Sequence, residues 1–423
     1  MHRYFFILGR NPALSIAELL SVIKLNINDC KIESFSREVC LIVTHEKLDI
    51  LLLVKQLGGM VKAGEMLDEV NLDASEADFD NIISYSNLTE KYIPRQLKKI
   101  HYGISIYPLD CEEKLLESFE QKLKVLYISI KENLREKGIK AGFVRLKERN
   151  LSSVSVAKNN LLDKGMELIF LLDKNRLLAG KTLAVQEFGG FTFRDIGRPG
   201  IDKRSGIMPP KLARMMINIA GVADKSKLLL DSFCGSGTIL QEGLILGYKN
   251  IIGSDVSGKA VGDTKRNISW LFDRYRNLEK DEYRINIFQS DVRNILKTTP
   301  GGSVDFITTE PFLGPPLHSK PKRIQSERMI RELEPLYLSA FGQFYKLLKP
   351  GCPVVFIFPV FEEKGIFSFV NIIGKIEKMG FRQVAFDQPD RNTVFQEITK
   401  RNTIIYGNRY DFVMREIIKF RRI

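Results

Sequence analysis

The sequence predicts an α/β protein. Its C-terminal half is a mostly parallel, helix-covered sheet closed by an antiparallel hairpin, and two smaller α+β modules precede it. Three observations predict this. From Lys211 onward, short apolar runs alternate with helical segments, the pattern of parallel strands joined by crossover helices. Four successive runs in that half end in an acid: Asp231, Asp255, Asp291 and Glu310. Nearer the N-terminus, a strand-helix-strand-helix alternation marks a separate small unit.

Residues 3–8 (RYFFIL) read as a strand and GRNP as the turn after it. Leu14–Leu25 has helical apolar spacing, with Ser15 as its N-cap. Val39–Val43 is a second strand, and Lys47–Gly58 a helix stopped by glycines. Residues 66–100 are polar and show no clear period. His101–Tyr107 alternates like a strand, and Glu112–Lys137 is a long amphipathic helix ending at Gly138. Strands are expected at Ala141–Leu146, Glu167–Leu172 and Leu177–Val185, with a helical turn at Lys158–Leu162. Residues 186–210 are rich in Gly, Pro and basic side chains and read as a linker and lid. Lys211–Gly221 is a helix. Strands follow at Leu228–Asp231, Ile251–Asp255, Ile285–Ser290, Val304–Thr309, Val354–Pro359 and Gln383–Phe386. Residues 403–406 and 411–419 form a hairpin around YGNRY. The expected organisation is 1–65, 66–185, a linker at 186–210, and 211–423.

The chain of 423 residues is 44% hydrophobic and carries a net charge of +13. That charge favours a polyanionic partner, nucleic acid before an anionic membrane. The five cysteines are scattered and never form a CxxC pair, which suits a reducing cytoplasm and argues against disulfides or a zinc ribbon. The four histidines form no HxxxH pair, so no metal is expected. The apolar run near the N-terminus is broken at Gly9 and is too short for a signal or a membrane span. Nothing points to an obligate protein partner.

The stretch LLLDSFCGSGTILQEG runs from an apolar strand through Asp231 and a glycine-rich turn into a helix opening at Thr238. Gly235 and Gly237 let backbone approach a ligand, and the helix N-terminus offers free N–H groups. Leu240 occupies the third position of G-x-G-x-x-G, so the dinucleotide pattern fails. An acid at the strand end suits a cationic or zwitterionic ligand, and S-adenosylmethionine is one. Asp255 is placed to accept two ribose hydroxyls, and Asp291 to meet the adenine amine. The fourth acid opens the turn Glu310-Pro311-Phe312. Just after it, residues 318–331 hold five Lys or Arg against one Glu, among them Lys320, Lys322 and Arg323. These are candidate contacts to RNA phosphates, the alternative being a solvated helix start. Arg194, Arg198, Lys203 and Arg204 form a second candidate track.

DSFCGSGTILQEGLILG resembles the D-P-F-C-G-S-G-T loop of Rossmann-like, S-adenosylmethionine-dependent RNA N-methyltransferases. RDIGRPGIDKRSGIMPPKLARMMINIAG, residues 194–221, resembles the segment before that loop in THUMP-containing tRNA guanosine N2-methyltransferases. YFFILGRNPALSIAELLS resembles the N-terminus of the members that modify guanosine 10. The resemblance implies an N-terminal ferredoxin-like piece, a THUMP domain gripping the acceptor end of tRNA, and a seven-stranded methyltransferase domain. It places Asp231, Phe233, Gly235, Gly237, Thr238, Asp255 and Asp291 at the cofactor, with Arg214 and Asn218 flanking its methionine end. It makes Glu310, Pro311 and Phe312 the catalytic turn, which holds the amine of a flipped base. The turn departs from the family's T-D-P-P-Y-G: Glu310 replaces Asp, Phe312 the second Pro, and Leu313 the aromatic residue. In the glycine loop, Ser232 replaces Pro. Two other readings stay open. One is an adenine N6-methyltransferase acting on RNA or DNA; the other is a catalytically silent RNA-binding homologue.

Overall fold

In a computed structural model the chain divides into two compact units: Met1–Pro12 with Ile27–Phe188, and Ala13–Asn26 with Gly189–Ile423. The structure describes every residue except 28, 72–75, 94–96, 145–148, 202–206, 389–394, 396 and 409, and of 76–79 the backbone alone. Lys203, Arg204, and residues 145 and 146 of the strand expected at Ala141–Leu146 lie outside the described residues.

The first unit is built on one mixed sheet of eight strands. They are β1 (His2–Leu8), β2 (Cys30–Phe35), β3 (Val39–Thr44), β4 (Met60–Asn71), β5 (Lys99–Asp110), β6 (Lys140–Phe143), β7 (Gly165–Asp173) and β8 (Arg176–Val185). Their order is β2-β3-β1-β4-β8-β7-β5-β6. Residue 65, the expected boundary, lies inside β4, which pairs β1 on one edge and β8 on the other. The helix Glu113–Glu136 sets Leu116, Phe119, Leu123, Leu126, Ile130 and Leu134 along one face, packed with Tyr102, Ile104 and Phe170 of the sheet. Lys62 and Glu167 are buried in this unit as a pair at 2.6 Å. Glu167 also accepts from Ser105 Oγ at 2.7 Å and Thr182 Oγ1 at 2.5 Å, so the internal charges are satisfied.

The second unit carries the parallel sheet. Its strands are β9 (Leu228–Asp231), β10 (Asn250–Asp255), β11 (Arg284–Gln289), β12 (Phe306–Thr309), β13 (Pro353–Glu363), β14 (Ile366–Phe369), β15 (Phe381–Val384), β16 (Ile404–Tyr406) and β17 (Met414–Arg422). Seven form the order β11-β10-β9-β12-β13-β17-β15, with β14 on β13 and β16 on β17 as additions. β9 to β13 run parallel, and β17 is antiparallel to both its neighbours. The fold is Rossmann-like α/β. The winding reverses between β9 and β12, and the crevice at such a reversal is where open α/β sheets take ligands. Beneath it, Phe341 of the helix Arg323–Leu347 lies 5.1–5.2 Å, centroid to centroid, from Phe356, Phe381 and Phe420.

Several elements differ from expectation. The first helix spans Pro12–Lys24 and Ser15 is buried within it; the ring of Pro12 presets the first turn, so no serine cap is needed. The second helix is Ile50–Gln56, capped by Asp49 accepting from Leu52 N at 2.9 Å. The helical turn expected at 158–162 is a helix at Ser153–Lys158 capped by Ser152. The expected linker contains a helix, Phe188–Ile196. Among the described residues no helix is long and apolar enough to cross a membrane, and no cluster of His, Cys, Asp or Glu could hold a metal.

Candidate active site

Parallel pairing brings the four strand-end acids to one edge. Asp231 stands opposite Gly253, two residues before Asp255, and Asp255 stands opposite Gln289, two before Asp291. Glu310 follows the last residue of β12, on the other side of β9.

Asp231 is buried, and its Oδ1 accepts from Thr309 Oγ1 at 2.6 Å and from Phe233 N at 3.3 Å. Among the described residues it has no cationic partner. Burial, and secondarily the nearby Asp255 and Glu310, push its carboxyl up to about 7, while the two hydrogen bonds pull the other way. Such a group is suited to a cation brought by a ligand. Asp255 holds the glycine loop: Oδ2 accepts from Gly235 N at 3.0 Å and Oδ1 from Ser257 N at 2.9 Å. Each oxygen retains a lone pair for a hydroxyl.

The loop's two glycines do different work. Gly237 has φ +83, and a Cβ there would lie 2.8 Å from Thr264 Cγ2, so it is fixed by packing. Gly235 has φ +53 and faces open space, the room a ligand needs. Thr264 Oγ1 donates to Gly235 O at 2.8 Å and Asn267 Nδ2 to Ser236 O at 2.8 Å, which ties the loop to the helix Gly258–Arg274. Phe233 packs its half-buried ring against the core.

Arg198 was expected to face RNA, yet it is buried. Its Nη1 donates to Thr238 Oγ1 at 2.5 Å, at the start of the helix after the glycine loop. Among the described residues its Nε and Nη2 have no hydrogen-bond partner, and burial lowers its pKa despite Asp195 and Glu242 nearby. An unsatisfied guanidinium beside a helix N-terminus calls for an anion. Arg194 is buried too, bonded to Glu242 at 2.5 Å and Tyr275 Oη at 2.6 Å, so it grips no phosphate. Arg214, expected at the cofactor, is held by the other oxygen of Glu242 at 2.8 Å and stacks 4.6 Å from the Phe191 centroid. A buried arginine requires such a counter-charge. Asn218 gives its Nδ2 to Glu18 Oε1 at 2.7 Å, on the N-terminal helix. Asp291 is already engaged: Oδ1 accepts from Arg293 N and Nε, each at 2.9 Å, and Nη2 reaches Oδ2. Arg293 holds its carboxyl below the usual range.

At the fourth strand, Pro311 is buried and the Phe312 ring is 55% exposed, while Phe312 O accepts from Tyr337 Oη at 2.7 Å. Glu310 Oε1 accepts from Arg415 Nε at 2.5 Å. Arg415 sits on β17, opposite Pro359 of β13 and Tyr406 of β16. Sequence reading missed it because nothing in a strand's own pattern tells which distant acid it faces. In the basic segment, Lys320 is paired with Glu362, Arg323 with Glu327 at 2.8 Å, and Lys322 is exposed.

Residues 201–358 match a sequence-family model, UPF0020, described as an RMKL-like, methyltransferase domain. The tRNA (guanine(10)-N2)-dimethyltransferase of Methanothermobacter thermautotrophicus is 32% identical over 130 residues, 30% of this chain and 33% of that protein. Its namesake from Methanocaldococcus jannaschii is 29% identical over 185 residues, 42% of this chain and 50% of that protein. The chain thus spans half or less of the length of these relatives. Among solved structures, TrmN from Thermus thermophilus aligns with a TM-score of 0.53 at 13% identity, covering 100% of both chains, a likeness of fold.

Proposed function

We propose that the chain transfers a methyl group from S-adenosylmethionine to the exocyclic N2 of a guanosine in tRNA, at position 10 as the names of the two relatives indicate. The observation that carries the reading is Asp231: a buried carboxyl without a cationic partner among the described residues, at the winding reversal, inside the region that matches a methyltransferase family. The residues fit the cofactor. Asp231 would take its ammonium, the N–H groups of Arg198 without a partner among the described residues would take its carboxylate, Asp255 would accept its ribose hydroxyls, and Gly235 would leave it room.

S-adenosylmethionine supplies an electrophilic methyl on a sulfonium that is already a good leaving group. The protein's task is alignment. Glu310 accepts an N–H of the exocyclic amine and turns the nitrogen lone pair toward the methyl. Tyr337 fixes the backbone of the turn through Phe312 O. The exposed Phe312 ring stacks on the flipped base. The longer Glu310 replaces the family's Asp because Arg415 anchors one of its oxygens. The first unit, read as ferredoxin-like and THUMP-like modules, grips the tRNA at a distance, with the exposed Lys322 as a further phosphate contact. Action in the cytoplasm is part of the same reading.

The test is to incubate the full chain with unmodified tRNA and methyl-labelled S-adenosylmethionine, then digest and identify the labelled nucleoside. N2-methylguanosine is expected, and Glu310→Ala should abolish it. Labelled N6-methyladenosine would replace the substrate, and cofactor binding without any label would remove tRNA as the substrate and leave either another nucleic acid or a silent RNA-binding site.

A further inference from the structure

Glu310 uses one carboxylate oxygen on Arg415, and Arg415 uses one nitrogen on Glu310. Among the described residues, Glu310 Oε2 and both Nη groups of Arg415 have no hydrogen-bond partner. The two side chains stay 17% and 20% exposed, so the pair is open on one side. Burial alone would lower the pKa of Arg415, but Glu310 beside it raises it, with Tyr406 and Asp411 adding to the effect. The pair therefore presents an acceptor and a fixed cationic donor next to each other at the catalytic turn.

Guanine carries the complementary row on one edge: the N2 and N1 hydrogens as donors, then the O6 carbonyl as acceptor. In the same orientation adenine places an amine where guanine has O6, so donor would meet donor. We propose that Arg415 is a specificity residue that reads the target base by donating from its Nη groups to guanine O6, while the free oxygen of Glu310 accepts from N2–H. This rests on the guanine reading of the site. Anchoring by Arg415 also explains how a longer acid keeps one position: a carboxylate pinned through one oxygen by a charged hydrogen bond has little freedom to misalign the amine.

The experiment compares two substrates. The labelled position is first mapped on guanosine tRNA; then a tRNA carrying 2-aminopurine at that position is prepared, which keeps the N2 amine and lacks both O6 and the N1 hydrogen. For the unaltered protein, kcat/KM on the 2-aminopurine tRNA should fall by roughly tenfold to a hundredfold. Arg415→Gln should fall by a similar factor on guanosine tRNA, and should treat the two tRNAs alike. Cofactor affinity, measured by calorimetry on the same variant, should stay near that of the unaltered protein. Equal activity of the unaltered protein on both tRNAs would overturn the proposal while leaving the guanine reading intact, and needs no variant to fold. An Arg415→Gln variant that still discriminates between the tRNAs would also overturn it. No labelled guanosine in the first step would remove the reading itself, and the proposal with it.

Discussion

Asp231 and Arg198 are each ionisable, each buried, and each without an oppositely charged partner among the described residues. Their folded states are strained in a way that a zwitterionic ligand relieves, and this makes their behaviour predictable in sign. The folded-state pKa of Asp231 is raised to about 7, above an ordinary carboxyl. The folded ligand-free protein therefore holds this proton more tightly than the unfolded chain. Its stability should fall as pH rises from about 4 toward 7 and level off above. An ammonium needs the ionised form. Between pH 5.5 and 7, affinity for S-adenosylhomocysteine should rise by up to about tenfold per pH unit. Calorimetric titrations across that range check this; a flat profile would rule out Asp231 as the ammonium's partner. Asp231→Asn should remove the pH dependence and weaken binding. Arg198→Gln should have opposite effects on fold and function: a ligand-free melting temperature equal or higher, because a buried unsatisfied charge is gone, and affinity roughly tenfold to a hundredfold lower, the worth of a charged hydrogen bond. A variant that loses stability and keeps affinity would mean that Arg198 only braces Thr238.

At the scale of elements, the glycine loop separates packing from binding. Gly237→Ala forces a Cβ against Thr264 at a left-handed φ, and should destabilise the second unit by about 1–3 kcal/mol in chemical denaturation. Gly235→Ala meets no atom within 4 Å, so its stability loss should stay near 1 kcal/mol, the strain of φ +53 alone. Its cofactor affinity should drop by more than that stability loss accounts for. Equal losses of stability and affinity in the two variants would show that neither glycine faces the ligand. The strands around this loop were legible because a buried parallel strand is a short apolar run with punctuation, and the acids at 231, 255 and 310 stood out at their ends. Asp291 stood out equally, but only three dimensions reveal that Arg293 already occupies it. Arg194 and Arg198 read as candidate RNA contacts and Arg214 as a neighbour of the cofactor because an isolated sequence does not show that Glu242 and Thr238 lie within reach. The β10-β9-β12 crevice was readable from local pattern, and the Glu310–Arg415 pair across 105 residues was not.

At the scale of the molecule, the chain passes between its two units three times, near residues 12, 26 and 188. Composition gave no hint of this, since Leu14–Leu25 reads as an ordinary amphipathic helix of the N-terminal module. Local period fixes which face of a helix is apolar and says nothing about which sheet it joins. In the structure this helix belongs to the second unit, where Glu18 is fully buried and accepts from Asn218 Nδ2, Ser21 Oγ donates to Asn218 O at 2.8 Å, and Lys24 reaches Asp387 at 2.5 Å. A cut at the expected linker would therefore strip the methyltransferase-like unit of part of its own packing. A fragment beginning at residue 187 should melt well below the full chain or aggregate, because Asn218 and the apolar surface around it lose their cover. The single-residue version isolates the polar part. Glu18→Ala removes the acceptor of the Asn218 amide and should cost about 1–3 kcal/mol, whereas Glu18→Gln keeps an acceptor oxygen and should stay close to the unaltered protein. Denaturation monitored at Trp270, which lies 4.7 Å from Phe193 in the second unit, reports on the correct half of the chain. If Glu18→Ala unfolds at the same denaturant concentration as the unaltered protein, the N-terminal helix is a passenger on this unit and the fragment should fold without it.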